Sequence, residues 1–463
     1  MLGHRLSSLL LLTAAIAFPQ TAQPLGDRAR DYLTALIRLD TTDPPGNETR
    51  VADYLKTVAA RYEIQAELLG PDPTRLNFVA RLHGTGDAPP LLLMAHADVV
   101  PADRAQWTVD PFAAVTRAGA LYGRGAEDDK DLLAAELAVL VELKLRGVKL
   151  RRDVILLSEA DEEAGSTGIQ WLIQNAYEKI SAEAALNEGG LAQDLSSGAR
   201  LFQIQTTEKI PTRVVLTAHG TAGHASLPRP DNPVVHLAAA LVRLGADQPV
   251  RLNETTRRNF ADIARLPDYD WLAPLLPLLD DPARQPEAAA ALRRRDKELD
   301  AQLHATVSPT MLQAGVKINV IPNLAEAQVD VRRLPNETRE EVIERLRRLV
   351  NDPTVEVASA GDQEMPATPP SPIDAPLYQT IQRVLSASAP RAVVVPYMSR
   401  GATDGAFLRQ KGMPVYGVPV FLKEDGLSRA HGNDERISLS SLDRATELLY
   451  QIVLAAAATE PRP

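Results

Sequence analysis

Imidazole and carboxylate side chains recur in this sequence just after short apolar runs. Leu91-Leu92-Leu93-Met94 leads into His96-Ala97-Asp98, Val154 to Leu157 leads into Ser158 to Glu163, and Ala184-Ala185-Leu186 leads into Asn187-Glu188. Between the first two lies Tyr122 to Lys130, which carries Glu127, Asp128 and Asp129. Such side chains are donors for a divalent metal such as zinc, and a catalytic zinc keeps one position for water. His96 offers an imidazole. Asp98 lies two residues on and faces the same side of an extended segment. There its carboxylate could accept a hydrogen bond from the second ring nitrogen and orient the ring. Glu162 and Glu163 are adjacent acids that would repel at an apolar strand end. A divalent cation removes that conflict: one carboxylate binds it while the other stays free to shuttle a proton. The chain has no cysteine, so any metal rests on His, Asp and Glu, and disulfides and thiol catalysis are excluded.

A single His-x-Asp pair or acidic run is commonly structural. The signal lies in the order of these groups and in their placement after consecutive apolar runs. In open α/β sheets, ligand sites lie outside the carboxyl ends of the strands. The elements that must position the groups can be read from the same stretch. Asp31 to Leu39, Glu48 to Tyr62 and Leu132 to Leu145 have helical spacing, and they alternate with the short apolar runs. The fold class is therefore α/β, a mixed sheet with helices on both faces.

The pattern changes near Pro211. Val214 to Ala218, Met311 to Ile318 and Ala325 to Arg332 read as strands, and Pro233 to Leu244 and Glu340 to Val350 as helices. A charged, mostly helical stretch from Arg251 to Leu303 is broken at Pro267, Pro274 and Pro277. The expected layout is a catalytic unit at 24–210 and 361–463, interrupted at 211–360 by a smaller α+β lid with a helical insertion at 251–303. The lid could also serve as a dimerisation module.

The length of 463 residues suits two or three domains at roughly 150 residues each. A hydrophobic share of 45% and a charged share of 24% are those of a soluble globular protein. A net charge of -10 argues against a nucleic-acid partner, which needs a basic surface. At the N-terminus, His4 and Arg5 precede an apolar run from Leu9 to Phe18, followed by small residues around Ala15-Ile16-Ala17 and Thr21-Ala22-Gln23. That order is expected of a signal peptide over residues 1–23, and of a secreted or periplasmic mature chain without a membrane span.

Five ordered motifs resemble the co-catalytic di-zinc peptidases, the metallopeptidase family numbered twenty. They are Met94-Ala95-His96-Ala97-Asp98, Tyr122-Gly123-Arg124-Gly125 with Asp128-Asp129-Lys130, Asp161-Glu162-Glu163, Asn187-Glu188-Gly189-Gly190, and Ala430-His431-Gly432-Asn433-Asp434-Glu435-Arg436. Members include glutamate carboxypeptidase, carboxypeptidase S, aminoacylase and succinyl-diaminopimelate desuccinylase. The resemblance runs from about residue 28 to 455. It implies two zinc ions, with cobalt or manganese as substitutes. Asp128 would bridge them, His96 and Glu188 would complete one site, and Glu163 and His431 the other. Glu162 would be the general base, with Asp98 holding His96. His224, in Gly220 to Pro228, would help bind the oxyanion, in some members from a partner subunit. Asn319, Arg332, Arg400 and Thr403 match substrate-contacting positions.

The Arg251–Leu303 insertion and Glu188 bring carboxypeptidase S and its N-acyl-amino-acid-hydrolysing relatives nearest. The implied activity is cleavage of the amide bond of short peptides or N-acyl amino acids that carry a free carboxylate. A dipeptidase, a dedicated metabolite deacylase and a non-catalytic peptide-binding homologue stand as alternatives. Asp131 departs from the family's usual glycine and leaves a single-zinc site open. His4, His83, His219, His236 and His304 sit in no ligand-like context.

Overall fold

The run Leu91-Leu92-Leu93-Met94 forms the strand Leu91–His96, every residue of which is buried. In this computed structural model, which describes residues 23–361, 365–423 and 428–459, that strand lies inside a nine-stranded mixed sheet. Val154–Glu159 and Ala184–Asn187 flank it, both parallel to it. Beyond Val154–Glu159 come Asn77–Leu82 and the edge strand Gln65–Leu69, both antiparallel additions. On the other side follow Val415–Gly417, Arg200–Glu208 and Ala392–Ser399.

Alternation of side chains along a strand explains why the apolar runs are continuous rather than alternating. Leu91, Leu93, Val154 and Leu156 face one core with the helices Leu25–Ile37, Lys130–Leu145 and Leu439–Ala457. Leu92, Met94, Ile155 and Leu157 face a second core with Ile169 and Leu172 of the helix Thr167–Asn175. Both faces are covered, and the sheet with helices on each side is the fold class expected from the sequence. The helix Lys130–Leu145 is buried from Lys130 through Leu143, as its Ala- and Leu-rich sequence requires.

A second, smaller sheet is wholly antiparallel, in the order Thr306–Ala314, Leu324–Arg333, Ile210–His219, Val355–Ser359. Helices Pro233–Leu244 and Arg339–Val350 cover one face through Leu237, Ala240, Val342 and Leu346. The strand expected at Met311 to Ile318 lies earlier, at Thr306–Ala314. Gly315, at φ +67°, ends it, and Ile318 beyond the turn is 98% exposed.

The segment 251–303 is helical, as its composition implies, but its apolar side faces the larger sheet. Phe260, Ile263, Leu272 and Leu292 form one cluster with Leu201 and Val395 of the strands Arg200–Glu208 and Ala392–Ser399. Asn259 adds a buried hydrogen bond from its side-chain amide to the Pro396 carbonyl, 2.8 Å away. Where the chain passes between the sheets, Lys209 is buried and donates to the carbonyls of Ala301 and His304, each at 3.0 Å. Burial lowers its ammonium to about 7. Residues 1–22, most of the segment read as a signal peptide, lie outside the described residues. No helix among the described residues is long and apolar enough to cross a membrane.

Phe260 fills the joint between insertion and sheet. Phe260→Ala is expected to destabilise the larger unit by about 3–5 kcal/mol, the usual cost of emptying an aromatic site in a core. Urea unfolding followed by far-UV circular dichroism measures it. A loss under about 1 kcal/mol would mean that the insertion is not part of that core.

Candidate metal centre

The three parallel strands all end at one side of the sheet, and this places their polar successors together. His96 is the last residue of its strand, Glu162 and Glu163 follow Val154–Glu159 by a short turn, and Glu188 follows Ala184–Asn187 directly. Asp128 stands just ahead of the helix Lys130–Leu145. His431 arrives from the far end of the sequence, in a segment that precedes the strand Arg436–Ser438, at φ +63°.

Asp128 lies between the two imidazoles. One of its carboxylate oxygens is 3.0 Å from His96 Nε2 and the other 3.1 Å from His431 Nε2. His431 Nε2 is also 3.1 Å from Glu163 Oε1. His96, Glu162 and Glu188 bring ligand atoms within 4.8 Å of one another, and so do His96, Asp128 and Glu163. The geometry thus gathers His96, Asp128, Glu163, Glu188 and His431, with Glu162 among them.

The donor set suits a metal. Burial holds the Glu162 and Glu188 carboxyls well above the ordinary range; Glu188 adds to the rise at Glu162, and Asp129 and Asp128 add to it at Glu188. The hydrogen bonds to Asp128 and Glu163 raise His431 to about 10. Carboxylates pressed together against imidazole nitrogens form a site that a divalent cation neutralises, and with no sulfur it fits zinc, cobalt or manganese.

Asp98 stands beside His96, as expected, and has a second set of partners. His96 Nδ1 bonds the backbone oxygen of Asp98 at 3.0 Å, which leaves Nε2 facing Asp128. The Asp98 carboxylate stands 3.6 Å from Nδ1, and also accepts the amides of Glu162 and Glu163 at 3.1 and 2.9 Å. Asp98 therefore ties the His96 strand to the acidic turn. Two further acids hold the His431 loop. Glu127 accepts the amides of Arg429 and Ala430, and Glu435 accepts those of Gly125 and Glu127 while paired with Arg124. Both lie within motifs already conspicuous in the sequence, but their role follows only once residues 300 apart are in contact.

The remaining candidates make contacts of their own. His224 is exposed on the short strand Gly223–His224, with Nδ1 bonded by the Ser226 amide and hydroxyl. The Asn319 carbonyl accepts the adjacent Ala225 amide at 3.1 Å. Arg332 pairs with Asp330 at 3.0 Å, and Arg400 with Glu298 of the insertion at 2.9 Å. Both guanidiniums bear on the buried Lys209. Thr403 is only 4% exposed and bonded internally to Asn187 and Glu208. Asp131 lines a cavity of about 110 Å³ beside Glu188, together with Val418, Phe421, Leu422 and Lys423. Its carboxylate accepts the Leu132 amide at 2.9 Å.

The model of peptidase family M20/M25/M40 matches residues 92–455. Human N-fatty-acyl-amino acid synthase/hydrolase PM20D1 is 30% identical over 373 residues, covering 79% of this chain and 73% of that protein. Among solved structures, the M20 family metallo-carboxypeptidase Sso-CP2 from Sulfolobus solfataricus has a TM-score of 0.69 at 21% identity, covering 92% of this chain and 98% of that one. The Bacillus subtilis YXEP protein, a dinuclear metal binding peptidase, has a TM-score of 0.57 at 16% identity, covering 93% and 98%.

The crowding of acids predicts how the metal-free protein responds to pH. Glu162 and Glu188 keep protons in the folded chain that the unfolded chain releases above about 4.3, so their contribution is full at acid pH and is lost as pH rises. His431 acts in the same direction, losing its contribution on the way to about 10. The chelated protein is expected to melt at progressively lower temperature from about pH 5.5 to about pH 8, with added zinc removing most of the slope. Calorimetric scans check it; stability that rises with pH without metal would contradict the crowding.

Proposed function

Since the chain belongs to peptidase family M20/M25/M40, a family of hydrolases of peptide and amide bonds, we propose that it cleaves N-acyl amino acids and short peptides bearing a free carboxylate. Two divalent cations, zinc first among them, would be held by His96, Asp128, Glu163, Glu188 and His431. The observation that carries this reading is the Asp128 carboxylate set between His96 and His431 with Glu162 beside it. When bound, the metal pair supplies Lewis acidity to the scissile carbonyl and lowers the pKa of water. Glu162 takes the proton of the attacking water and returns it to the leaving nitrogen. Asp98 keeps the amides of Glu162 and Glu163 fixed, so the base stays within reach of that water. Arg332 or Arg400 would pair with the substrate carboxylate, and His224 would donate to the developing oxyanion. The acyl class is favoured over a plain dipeptide by the relation to PM20D1 and by Val418, Phe421 and Leu422 beside Glu188.

His224 is exposed on the smaller unit, and a second subunit would give it a cleft to reach. The strand Thr306–Ala314 is an edge of its sheet, and Met311 and Leu312 on it are exposed, as is Val316 beyond it. Such an edge pairs readily with another chain. We therefore read the assembly as a homodimer through the smaller sheet. The reading of residues 1–23 as an export signal puts this work in the periplasm or outside the cell.

Release of free amine from a panel of N-acyl amino acids and dipeptides tests the activity, run with zinc and with chelator. Glu162→Gln is expected to lower kcat by about 10²–10⁴-fold with metal still bound, the size of a general-base contribution. Wild-type turnover in that variant would remove Glu162 from its role. Light scattering on Leu312→Glu tests the assembly: the parent is expected as a dimer and the variant as a monomer. A monomeric parent would leave His224 without the proposed cleft.

A further inference from the structure

Behind the metal centre a second group of buried acids meets a single cation. Arg75 lies between the helix Thr49–Arg61 and the strand Asn77–Leu82. Its Nε is 3.2 and 3.1 Å from the two carboxylate oxygens of Glu48. Its Nη2 reaches Glu48 at 2.6 Å, Asp43 at 2.8 Å and Asp161 at 3.0 Å. All three acids are buried. Asp43, Glu48 and Asp98 also bring carboxylate oxygens within 4.8 Å of one another, and the guanidinium meets two of the three, Asp43 and Glu48. A planar fork with five donors can serve several carboxylates at once.

Asp161 links this group to the chemistry. It immediately precedes Glu162 and Glu163, and it sits at φ +69°, a conformation that costs energy for any residue with a side chain. Its second oxygen accepts the Thr167 amide at 3.1 Å and the Thr167 hydroxyl, and its carbonyl accepts the amides of Gly165 and Ser166. The turn that carries Glu162 and Glu163 is thus gripped twice, by Asp98 on its amides and by Arg75 through Asp161. We infer that Arg75 is a positioning residue for the reaction: by bridging Asp43, Glu48 and Asp161 it fixes the left-handed turn that aims Glu162 and Glu163. Without it, three buried carboxylates repel one another and the strained turn loses its anchor. The inference rests on the assignment of Glu162 as the general base and Glu163 as a ligand.

The test is steady-state kinetics of the full-length Arg75→Met and Arg75→Lys proteins with zinc present, alongside Glu162→Gln. Arg75→Met is expected to lose about 100-fold in kcat with KM within about threefold of the parent, as an ångström-scale displacement of a reacting group does. Arg75→Lys keeps the charge but lacks the fork, and is expected to stay at least about tenfold down. Guanidinium ion, added below denaturing concentration, is expected to restore part of the Arg75→Met rate and none of the Glu162→Gln rate. Parental kcat in both arginine variants overturns the inference, and so does a change confined to KM. If Arg75→Met does not fold, Arg75→Lys decides by the same criteria. Failure of both to fold overturns it too, because Arg75 then serves the fold at large. A Glu162→Gln protein with parental turnover would instead sink the general-base assignment, whatever the arginine variants do.

Discussion

Negative charge packed at short range in a poorly solvated interior is the constraint from which this structure follows. Asp98 is fully buried, and Asp128, Glu162, Glu163 and Glu188 crowd around the neighbouring His96. Carboxylates so placed cannot all ionise without compensation. The fold supplies compensation of several kinds. Backbone amides answer Asp98, guanidiniums answer the outer acids around Arg75 and Arg124, and imidazoles answer Asp128. After these pairings Glu162 and Glu188 still crowd His96, with Asp128, Asp129 and Asp404 adding to the negative charge around them. That residue of unbalanced charge is what a pair of divalent ions fits.

The parallel arrangement of the central strands follows from the same constraint. Only strands that run the same way deliver their successors to one edge, and three of the turns that carry candidate ligands do so here. This is why the candidate site stood out in the sequence, while the roles of its residues came from the resemblance to the di-zinc peptidases. Each buried run was short, uninterrupted and followed one residue later by His or Glu, so the local pattern marked the strand ends. The mixed sheet and its covering helices were legible for the same reason, since runs buried on both faces leave no alternation to confuse. What could not be read depended on contacts distant in sequence. That the Asp98 carboxylate beside His96 also receives the amides of Glu162 and Glu163 depends on residues more than 60 positions away. Arg75 carries no local signature, because its three partners come from two other segments.

The insertion shows another limit of local pattern. Periodicity identified residues 251–303 as helical but carried no information on which surface they cover. The edge of the large sheet leaves Leu201 and Val395 in need of cover, and Phe260, Ile263 and Leu292 provide it. The smaller sheet meets its apolar demand with its own helices. Burial of apolar area is non-directional, so the insertion settles where uncovered area remains rather than beside its sequence neighbours. Glu298 of the insertion meets Arg400, and Lys209 bonds the carbonyls at its end. The segment therefore adds to the wall near the basic residues as well as to the core.

Thr403 illustrates how a residue of a site motif can act without facing the cleft. The hydroxyl accepts from the Asn187 side-chain amide at 3.2 Å and donates to Glu208 at 3.1 Å. Glu208 is held in turn by Arg409 at 2.5 Å. A hydroxyl has one proton to give, and that proton goes to Glu208. Asn187 is the residue before Glu188, so the network fixes the strand end from which that acid projects. Thr403 is thereby coupled to the placement of Glu188 rather than presented at the surface.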